Sequence, residues 1–504
     1  MIIIDLPYCQ NFKNKFNKLA NFDWSIWLDS NNQCITVNND SHVGFNQPKR
    51  FDIASCWPYQ TLVSDIETTV SQNIQYNDNL CIIDTGSHVT VNTEVNPFDI
   101  LDHHLVRISN NNANQNPKTQ SSSIPFWHGA LGYFGYDLNQ LLHSKLRLQH
   151  STDMTIMPIM AVGMYAWALI SDHLLKKTYI VYDQNYISSS KINFIYRLIS
   201  SEQAGIFSSL QTRAISSSNL LELKPILSYP DYQNNFEKIK RHITDGDCYQ
   251  INYSIRFDAD DNNLCPWDNY QHLRDVNDNP FGCYFRINKN LVILSFSPER
   301  FISITSNDQA NLIVKTEPIK GTRKKFDAPI LNKQAIDDLN NSLKDRAENI
   351  MITDLMRNDL NKHCVPGSVK TTAICELKTF ATVHHLVSTI QGQLHSDVSS
   401  SVFLKECFPG GSITGAPKVK AMQIIQELEN EKDLLHRYIY CGSIGYININ
   451  GNLDTSITIR TLVKNNSKYH YWSGGGIVAD SECESEYNEI LNKLIKTRIN
   501  DELN

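Results

Sequence analysis

Glu317-Pro-Ile-Lys-Gly-Thr-Arg323 closes an apolar run, Asn311 to Thr316, whose composition predicts a strand. Pro318 fixes φ and withholds a donor two residues before Lys320, and Gly321 permits a tight turn directly after it. The amine therefore stands on a short, rigid connection. A lysine presented in this way and desolvated by its neighbours has a lowered pKa and becomes a nucleophile near neutral pH. Taken alone, the stretch reads more simply as a solvated loop lysine, so its meaning depends on what surrounds it.

Upstream, Leu291 to Ile304 has strand composition broken at Ser297-Pro298, which places Glu299 where the sheet is interrupted. Before it come an amphipathic helix, Asp231 to Asp245, a strand, Cys248 to Phe257, a short helix around Gln271 to Arg274, and an apolar run, Phe281 to Ile287. Downstream, Lys333 to Asn361 is predicted as one long helix on which Asp345 and Glu348, three apart, share a face. Phe408 to Met422 is a glycine-rich loop running into a helix, with Pro417 at its first turn and Ser412 and Thr414 beside unpaired backbone NH groups. Ser473-Gly-Gly-Gly-Ile-Val-Ala-Asp480 precedes an acidic helix on which Glu486, Glu489 and Lys493 point one way. Three consecutive glycines let backbone amides close around a carboxylate, and two facing acidic pairs would supply the hard oxygen ligands that Mg²⁺ prefers.

The 504 residues exceed what one small core needs, so two packed units are expected, 1–222 and 223–504, with the serine-rich stretch Ser208 to Asn219 near their boundary. The composition, 41% hydrophobic and 20% charged, is that of a soluble globular protein. A formal net charge of −7 argues against nucleic-acid binding and means that a site for an anionic substrate needs local cations or a metal. The twelve cysteines show no Cys-x-x-Cys pair and no regular spacing, which fits a reducing, cytoplasmic setting. Met1 to Pro7 has neither a basic leader nor a long apolar segment, so no export signal is expected. The apolar run Met154 to Ile170 holds Pro158 and Gly163 and leads into Lys177 to Asp183; a buried hairpin is expected rather than a membrane span.

Earlier still, Asn21 to Ser30 reads as a strand entering a turn, followed after Asn31-Asn-Gln by another strand. Phe51 to Ser55 and Asn79 to Asp84 continue the β pattern, Asn96 to Asn110 and Asn185 to Ser201 read as helices, and Asn110 to Ser123 reads as a surface loop. Pro125 to Asp137 alternates glycines with aromatics, as a strand does where another backbone comes close.

Several segments together resemble the chorismate-utilising enzymes: Gly246-Asp-Cys-Tyr-Gln-Ile-Asn252, Ser297-Pro-Glu-Arg-Phe301, Pro318-Ile-Lys-Gly-Thr322, Asp345-Arg-Ala-Glu-Asn349 with Asp354-Leu-Met-Arg-Asn-Asp359, Gly415-Ala-Pro-Lys418, Ile459-Arg460 and Gly474-Gly-Gly476. The resemblance spans most of the chain and is densest from Asp231 to Lys493. It implies an α/β (α+β) fold of two packed β-sheets flanked by helices. It also implies replacement of the C4 hydroxyl of chorismate by ammonia, giving 4-amino-4-deoxychorismate for 4-aminobenzoate and folate synthesis.

By the same resemblance, Glu348 and Glu489 are direct Mg²⁺ ligands, with Asp345 and Glu486 acting through metal-bound water. Tyr446, Arg460, Lys493 and the amides of Gly474, Gly475 and Gly476 hold the substrate carboxylates, with Ser412 nearby and His385 beside the reacting ring. Glu299 is the general acid and base that protonates the departing hydroxyl. Family members that add water carry a lysine where this chain has Gln250, and anthranilate synthases carry an alanine where it has Lys320. The pair Gln250 and Lys320 thus resembles the aminodeoxychorismate branch, in which the lysine forms an adduct at C2 and leaves C4 to ammonia. Anthranilate synthase component I and a non-catalytic docking subunit are the competing readings. Phe22 to Ser30, including Asp29 and Ser30, resembles a segment that forms a tryptophan pocket, although Trp27 departs from the pattern. With no Gly-x-Cys-x-Gly nucleophile elbow in the chain, ammonia is expected from a separate glutamine amidotransferase subunit.

Overall fold

Burial alternating with period two sets the architecture. In the strands Ser25–Asp29, Phe51–Ser55, Phe281–Arg286 and Leu291–Ser297, the residues Ile26, Ile53, Phe285 and Ile293 enter one core, while their neighbours Trp27, Ala54, Tyr284 and Val292 enter another. A sheet apolar on both faces must be covered on both. The first core is shared with a second sheet; the second core is filled from helices, among them Ser189–Ser200, Tyr229–Thr244 and Pro266–Val276. The computed structural model describes residues 1–31, 50–65, 68–76, 82–92, 96–113, 124–146, 157–201, 221–277, 280–307, 309–380, 383–430 and 436–495.

Among the described residues each sheet has twelve strands, and the strand pairs are antiparallel. The first runs in the order Ile2–Leu6, Lys177–Tyr182, Trp167–Asp172, Phe51–Ser55, Ser25–Asp29, Phe281–Arg286, Leu291–Ser297, Thr461–Asn465, Lys468–Ile477, Gln250–Asp260 and Lys224–Pro225, with Gly415–Ala416 also on Gln250–Asp260. The second runs Ile319–Lys324, Val383–Gln393, Leu312–Thr316, Arg300–Ser306, Leu453–Ile457, Ser443–Asn448, Gly129–Phe134, Met160–Tyr165, Gln60–Ser64, Thr68–Tyr76 and Ile82–Asn92, with Lys370–Thr379 also on Val383–Gln393. Both sheets therefore mix strands from the two sides of the 222/223 boundary: Ser25–Asp29 pairs with Phe281–Arg286, and Gly129–Phe134 with Ser443–Asn448. The stretch 208–219 lies outside the described residues, as do 114–123 and the strand expected after Asn31.

Short connections take the chain from one sheet to the other at Cys56 to Tyr59, at Ala166, at Pro298-Glu299 and at Thr458 to Arg460. The crossing at Ala166 accounts for the apolar run at 154–170. Met160–Tyr165 is buried in the second sheet, while Trp167–Asp172 is buried in the first and forms a hairpin with Lys177–Tyr182. Among the described residues no helix is long and apolar enough to cross a membrane. The glycine and aromatic alternation has its expected cause, since a Cβ on Gly132 would lie 2.2 Å from the Ala161 carbonyl oxygen.

The single helix expected over 333–361 is two, Pro329–Asn341 and Leu343–Asn361. Ser342 takes an extended conformation between them and its hydroxyl caps the second through Asp345 N, so local capping chemistry wins over continued helical periodicity.

Glu317 anchors the edge that carries Lys320. Its carboxylate meets Arg300 Nη1 at 3.1 Å, Lys315 Nζ at 3.1 Å and Lys378 Nζ at 3.0 Å, three cations from three strands of the second sheet. Burial works against its charge, but the three cations outweigh it and hold the carboxyl at about 2, well below its ordinary 4.5. A carboxyl depressed on folding stabilises the fold above its unfolded value, and that stabilisation is lost as pH falls from 4.5 through about 2. The shift corresponds to about 3 kcal/mol. Urea unfolding of the wild type and Glu317→Gln is therefore expected to differ most above pH 5 and to converge on acidification toward pH 3; a gap independent of pH would show that the clamp does not carry the charge-dependent part of this stability.

Candidate active site

Two of these crossings supply the site. A chain leaving one sheet for the other cannot complete either ladder at the crossing, so its side chains emerge between the sheets. Glu299 lies between Leu291–Ser297 and Arg300–Ser306, with Ser297 Oγ near its amide and Ile457 N donating to its carbonyl. Arg460 lies between Leu453–Ile457 and Thr461–Asn465 at φ +51°, a left-handed conformation that a non-glycine residue adopts only when its surroundings impose it. Both line one large cavity.

Lys320 enters the same cavity from the strand Ile319–Lys324. Its pairing with Val383–Gln393 slips between Ile319 and Thr322, so Lys320 and Gly321 form an irregularity that re-aims the side chain. Gly321, at φ +83°, lies under Asp345 and Leu339, where a Cβ would come within 2.9 Å of Asp345 Cβ. The loop lysine of the simple reading is thus a half-buried residue facing carboxyls: its charge lowers Glu299, Glu348 and Glu489.

Burial pushes the Glu299 carboxyl up to about 7, against the pull of Lys320 and a hydrogen bond from Ser412. It is only 6% exposed, so at neutral pH it divides between acid and base. His385 is lowered to about 4 by burial and by the charge of Arg460, so it is a neutral ring, with Nδ1 2.8 Å from Thr322 Oγ1.

The opposite wall carries the glycines and the acidic helix. The strand Lys468–Ile477 pairs Gly474, Gly475 and Gly476 with Ser254, Tyr253 and Asn252. A Cβ on Gly475 would point toward Glu486 Oε2, Glu489 Oε1 and Lys493 Nζ at 3.3, 3.8 and 3.9 Å, so the missing side chain leaves backbone open before these groups. Lys493 Nζ is 2.6 Å from Glu489 Oε1 and donates to the Gly474 carbonyl at 3.0 Å. Burial would raise Glu489, but Lys493 brings it down on balance. Glu486 accepts from Ser481 Oγ at 2.6 Å and is raised by burial and by Glu489. Burial raises Glu348 too; Lys320 and Lys344 pull it back, while Asp345 and Glu486 push with burial. Asp345 pairs with Arg323 at 3.2 Å. Among the described residues no set of three or more His, Cys, Asp or Glu side chains converges to hold a metal ion unaided.

Tyr446 is a correction. It lies on Ser443–Asn448, whose alternation aims it into a second cavity between the sheets, with Asp29, Ser30, Arg300 and Asp454. The first cavity is lined instead by Tyr471 and by Tyr440, which lies in the turn before that strand and stacks on Trp472 at 6.4 Å between centroids. Tyr440 and Tyr446 both sit in apolar segments, and only the position of the turn, which Gly442 hints at, separates them. Gln250 does not line the cavity directly but lies behind Gly476. Asn252 and Lys344, not singled out in the sequence, line it.

In the second cavity Asp29 accepts from Tyr270 Oη at 2.9 Å and from Arg274 Nη2 at 3.0 Å. Ser30 N donates to Asp52 at 2.8 Å. Trp27 faces the other way, into an aromatic cluster with Phe16 and Trp267.

Residues 59–498 match the family described as chorismate binding enzyme. Over 482 residues the chain is 37% identical to the aminodeoxychorismate synthase component 1 of Escherichia coli (strain K12), covering 95% of this chain and 93% of that one. It is 30% identical to the anthranilate synthase component 1 of Acetivibrio thermocellus over 490 residues, 92% of this chain and 93% of that one. The crystal structure of anthranilate synthase component I from Streptococcus pneumoniae TIGR4 superposes with a TM-score of 0.72 at 26% identity, covering 92% of this chain and 95% of that one. The chain belongs to the chorismate-binding enzymes.

Proposed function

We propose that the chain is the synthase component of an aminodeoxychorismate synthase, converting chorismate and ammonia to 4-amino-4-deoxychorismate, with ammonia delivered by a separate glutamine amidotransferase. The observation that carries this reading is Lys320 facing Glu299 in one cavity, where an anthranilate-forming site would have alanine. In relatives called component 1, the name itself supports a second component.

The steps follow from the groups present. Arg460, Lys493, Tyr440 and the amides around Gly475 orient the two substrate carboxylates, which offsets the chain's negative charge locally. With Lys320 in its neutral amine form, Nζ uses its lone pair to form a bond to C2 while Glu299 gives its proton to the C4 hydroxyl, which leaves as water. Ammonia then forms the C4–N bond as the C2–Nζ bond breaks, its electron pair returning to Lys320. The new C4 ammonium passes one proton to the Glu299 carboxylate, which restores both groups. Neutral His385 serves the ring as an uncharged hydrogen-bonding neighbour.

Mg²⁺ is the cofactor we propose. Burial raises both Glu348 and Glu486, with Asp345 and Glu486 adding to it at Glu348 and Glu489 at Glu486, a strain that a cation relieves, and all the donors are hard oxygens. Glu348 and Glu489 would hold the ion directly, Asp345 and Glu486 through its water. When bound, it supplies positive charge for a substrate carboxylate. The second cavity, with Asp29, held from behind by Arg274, and with its aromatic and apolar wall, is proposed to take tryptophan.

Incubation of the purified chain with chorismate, Mg²⁺ and ammonium, followed by mass spectrometry with and without an aminodeoxychorismate lyase, is expected to give aminodeoxychorismate and then 4-aminobenzoate. Anthranilate as product would overturn the reading. Intact-mass analysis during turnover is expected to show an adduct that Lys320→Ala abolishes. Glu299→Gln is expected to lower kcat roughly 10²- to 10⁴-fold. In the wild type kcat/KM for chorismate should fall as pH rises through about 7, because the acid form is lost there; a profile flat from pH 6 to 9 would remove Glu299 as the acid. Tryptophan at saturation is expected to raise the Tm, and an unmoved Tm would close the second cavity to it.

A further inference from the structure

The segments Asp354 to Asp359 and Gly415 to Lys418 contribute no lining residue to the catalytic cavity, yet they meet. Lys418 Nζ lies 2.6 Å from Asp359 Oδ2 and donates to the Cys407 carbonyl at 3.2 Å. Both side chains are largely buried, at 12% and 3% exposed, and for such a pair desolvation offsets most of the Coulombic gain, so stability alone is a weak reason for it. Its placement gives a better one. Cys407 ends the helix Ser400–Cys407 and Lys418 begins the helix Lys418–Asn430. One amine thus closes the neck of the loop 408–417 and ties it to the end of Leu343–Asn361. Glu348, Ile352, Leu355 and Asp359 recur at helical spacing on Leu343–Asn361, so one face of that helix carries the cavity at one end and the ion pair at the other. The loop packs between them: a Cβ on Gly411 would come within 2.7 Å of Leu355 Cδ2, and one on Gly410 within 3.1 Å of the Phe301 ring. On the other side Gly415 and Ala416 pair with Ile251 and Gln250, and the Thr414 carbonyl accepts from Asn252 N at 2.8 Å.

Ser412 carries the loop's contact with the acid: it lines the cavity, and its hydroxyl hydrogen-bonds Glu299. We infer that the Lys418–Asp359 pair is a positioning device for that acid, fixing the loop so that Ser412 keeps its hydrogen bond to Glu299. Neither Lys418 nor Asp359 touches the substrate; both act through the loop. A hydroxyl that donates to a carboxylate favours the charged form, so Ser412 counters part of the burial that raises Glu299. Lys320 and the Ile319 amide act in the same direction from the strand Ile319–Lys324, and Arg460 and His385 face the same cavity. With the loop released, the contribution of Ser412 is lost and the Glu299 carboxyl rises further.

The inference rests on Glu299 as the acid. Its test is the pH dependence of kcat/KM for chorismate at saturating ammonium. Asp359→Asn combined with Lys418→Met removes both charges together, keeps the net charge and strands no buried carboxylate. In the wild type the fall in kcat/KM lies near pH 7. In the double variant it is expected about 0.5 to 1 pH unit higher, as in Ser412→Ala. Adding Ser412→Ala to the double variant should move it no further, since both changes remove the same bond. Lys418→Arg, which keeps the charge, is expected to retain the wild-type fall. A merely structural pair would lower the amount of active enzyme and scale the profile without moving its fall; that result, or shifts that add, overturns the inference. Should the double variant not fold, the milder Asp359→Asn decides in the same way: its fall moves up, or the inference fails. A wild-type profile with no fall near pH 7 removes Glu299 as the acid and the inference with it, whereas a wild-type fall that the variants leave in place removes the positioning role alone.

Discussion

Two large sheets share one apolar core, and a chain that must pass from one to the other leaves its hydrogen-bond ladder at the passage. The molecule places chemistry where it makes that passage. Glu299 and Arg460 are the residues of two crossings, and their backbones are tied to the neighbouring crossing strand, Glu299 through Ile457 N and Arg460 through Phe296 N. The acid and the cation are therefore fixed by the same bonds that close the sandwich. A pocket built in this way is rigid without being filled, because side chains at a crossing have no partner in either ladder.

Burial and charge act against each other throughout the cavity. Burial raises Glu299, Glu348 and Glu486, while Lys320, Lys344 and Lys493 pull carboxyls down. The outcome differs with position: Glu299 is poised near neutrality, and Glu489, beside Lys493, stays ionised. Carboxyls of one chemical type thus take different roles because their neighbours differ. Glu317 marks the opposite limit, three cations against one anion, and it does structural work just before the reactive stretch.

Features that depend on local chemistry were partly legible in the sequence. The break at Ser297-Pro298 is found where it was expected, whereas Lys320 and Gly321 form an irregularity within the strand Ile319–Lys324, not a tight turn, and Gly474 to Gly476 lie on the strand Lys468–Ile477, not on a loop. The strand periodicity of a two-sheet fold was legible as well. What local patterns could not carry was long-range registration. Tyr446 was chosen over Tyr440 because both lie in apolar surroundings, and only the turn through Ile439 to Gly442 decides which ring enters the first cavity. The division into 1–222 and 223–504 followed composition, whereas sheet membership follows pairings such as that of Ser25–Asp29 with Phe281–Arg286, more than 250 residues apart in sequence. The helix break at Ser342 was a capping signal set within a strong helical pattern, and the cap prevailed.

The interleaving of strands also governs how the molecule comes into being. A ribosome delivers Ser25–Asp29 and Gly129–Phe134 long before their partners Phe281–Arg286 and Ser443–Asn448 exist. During that interval these early strands present apolar faces and open edges, the condition under which nascent chains aggregate or recruit chaperones. Neither sheet can close until most of the polypeptide is made, and the last strands to arrive, Thr461–Asn465 and Lys468–Ile477, are those that complete the glycine wall of the cavity. Catalytic competence is therefore among the last properties that this chain acquires during its synthesis.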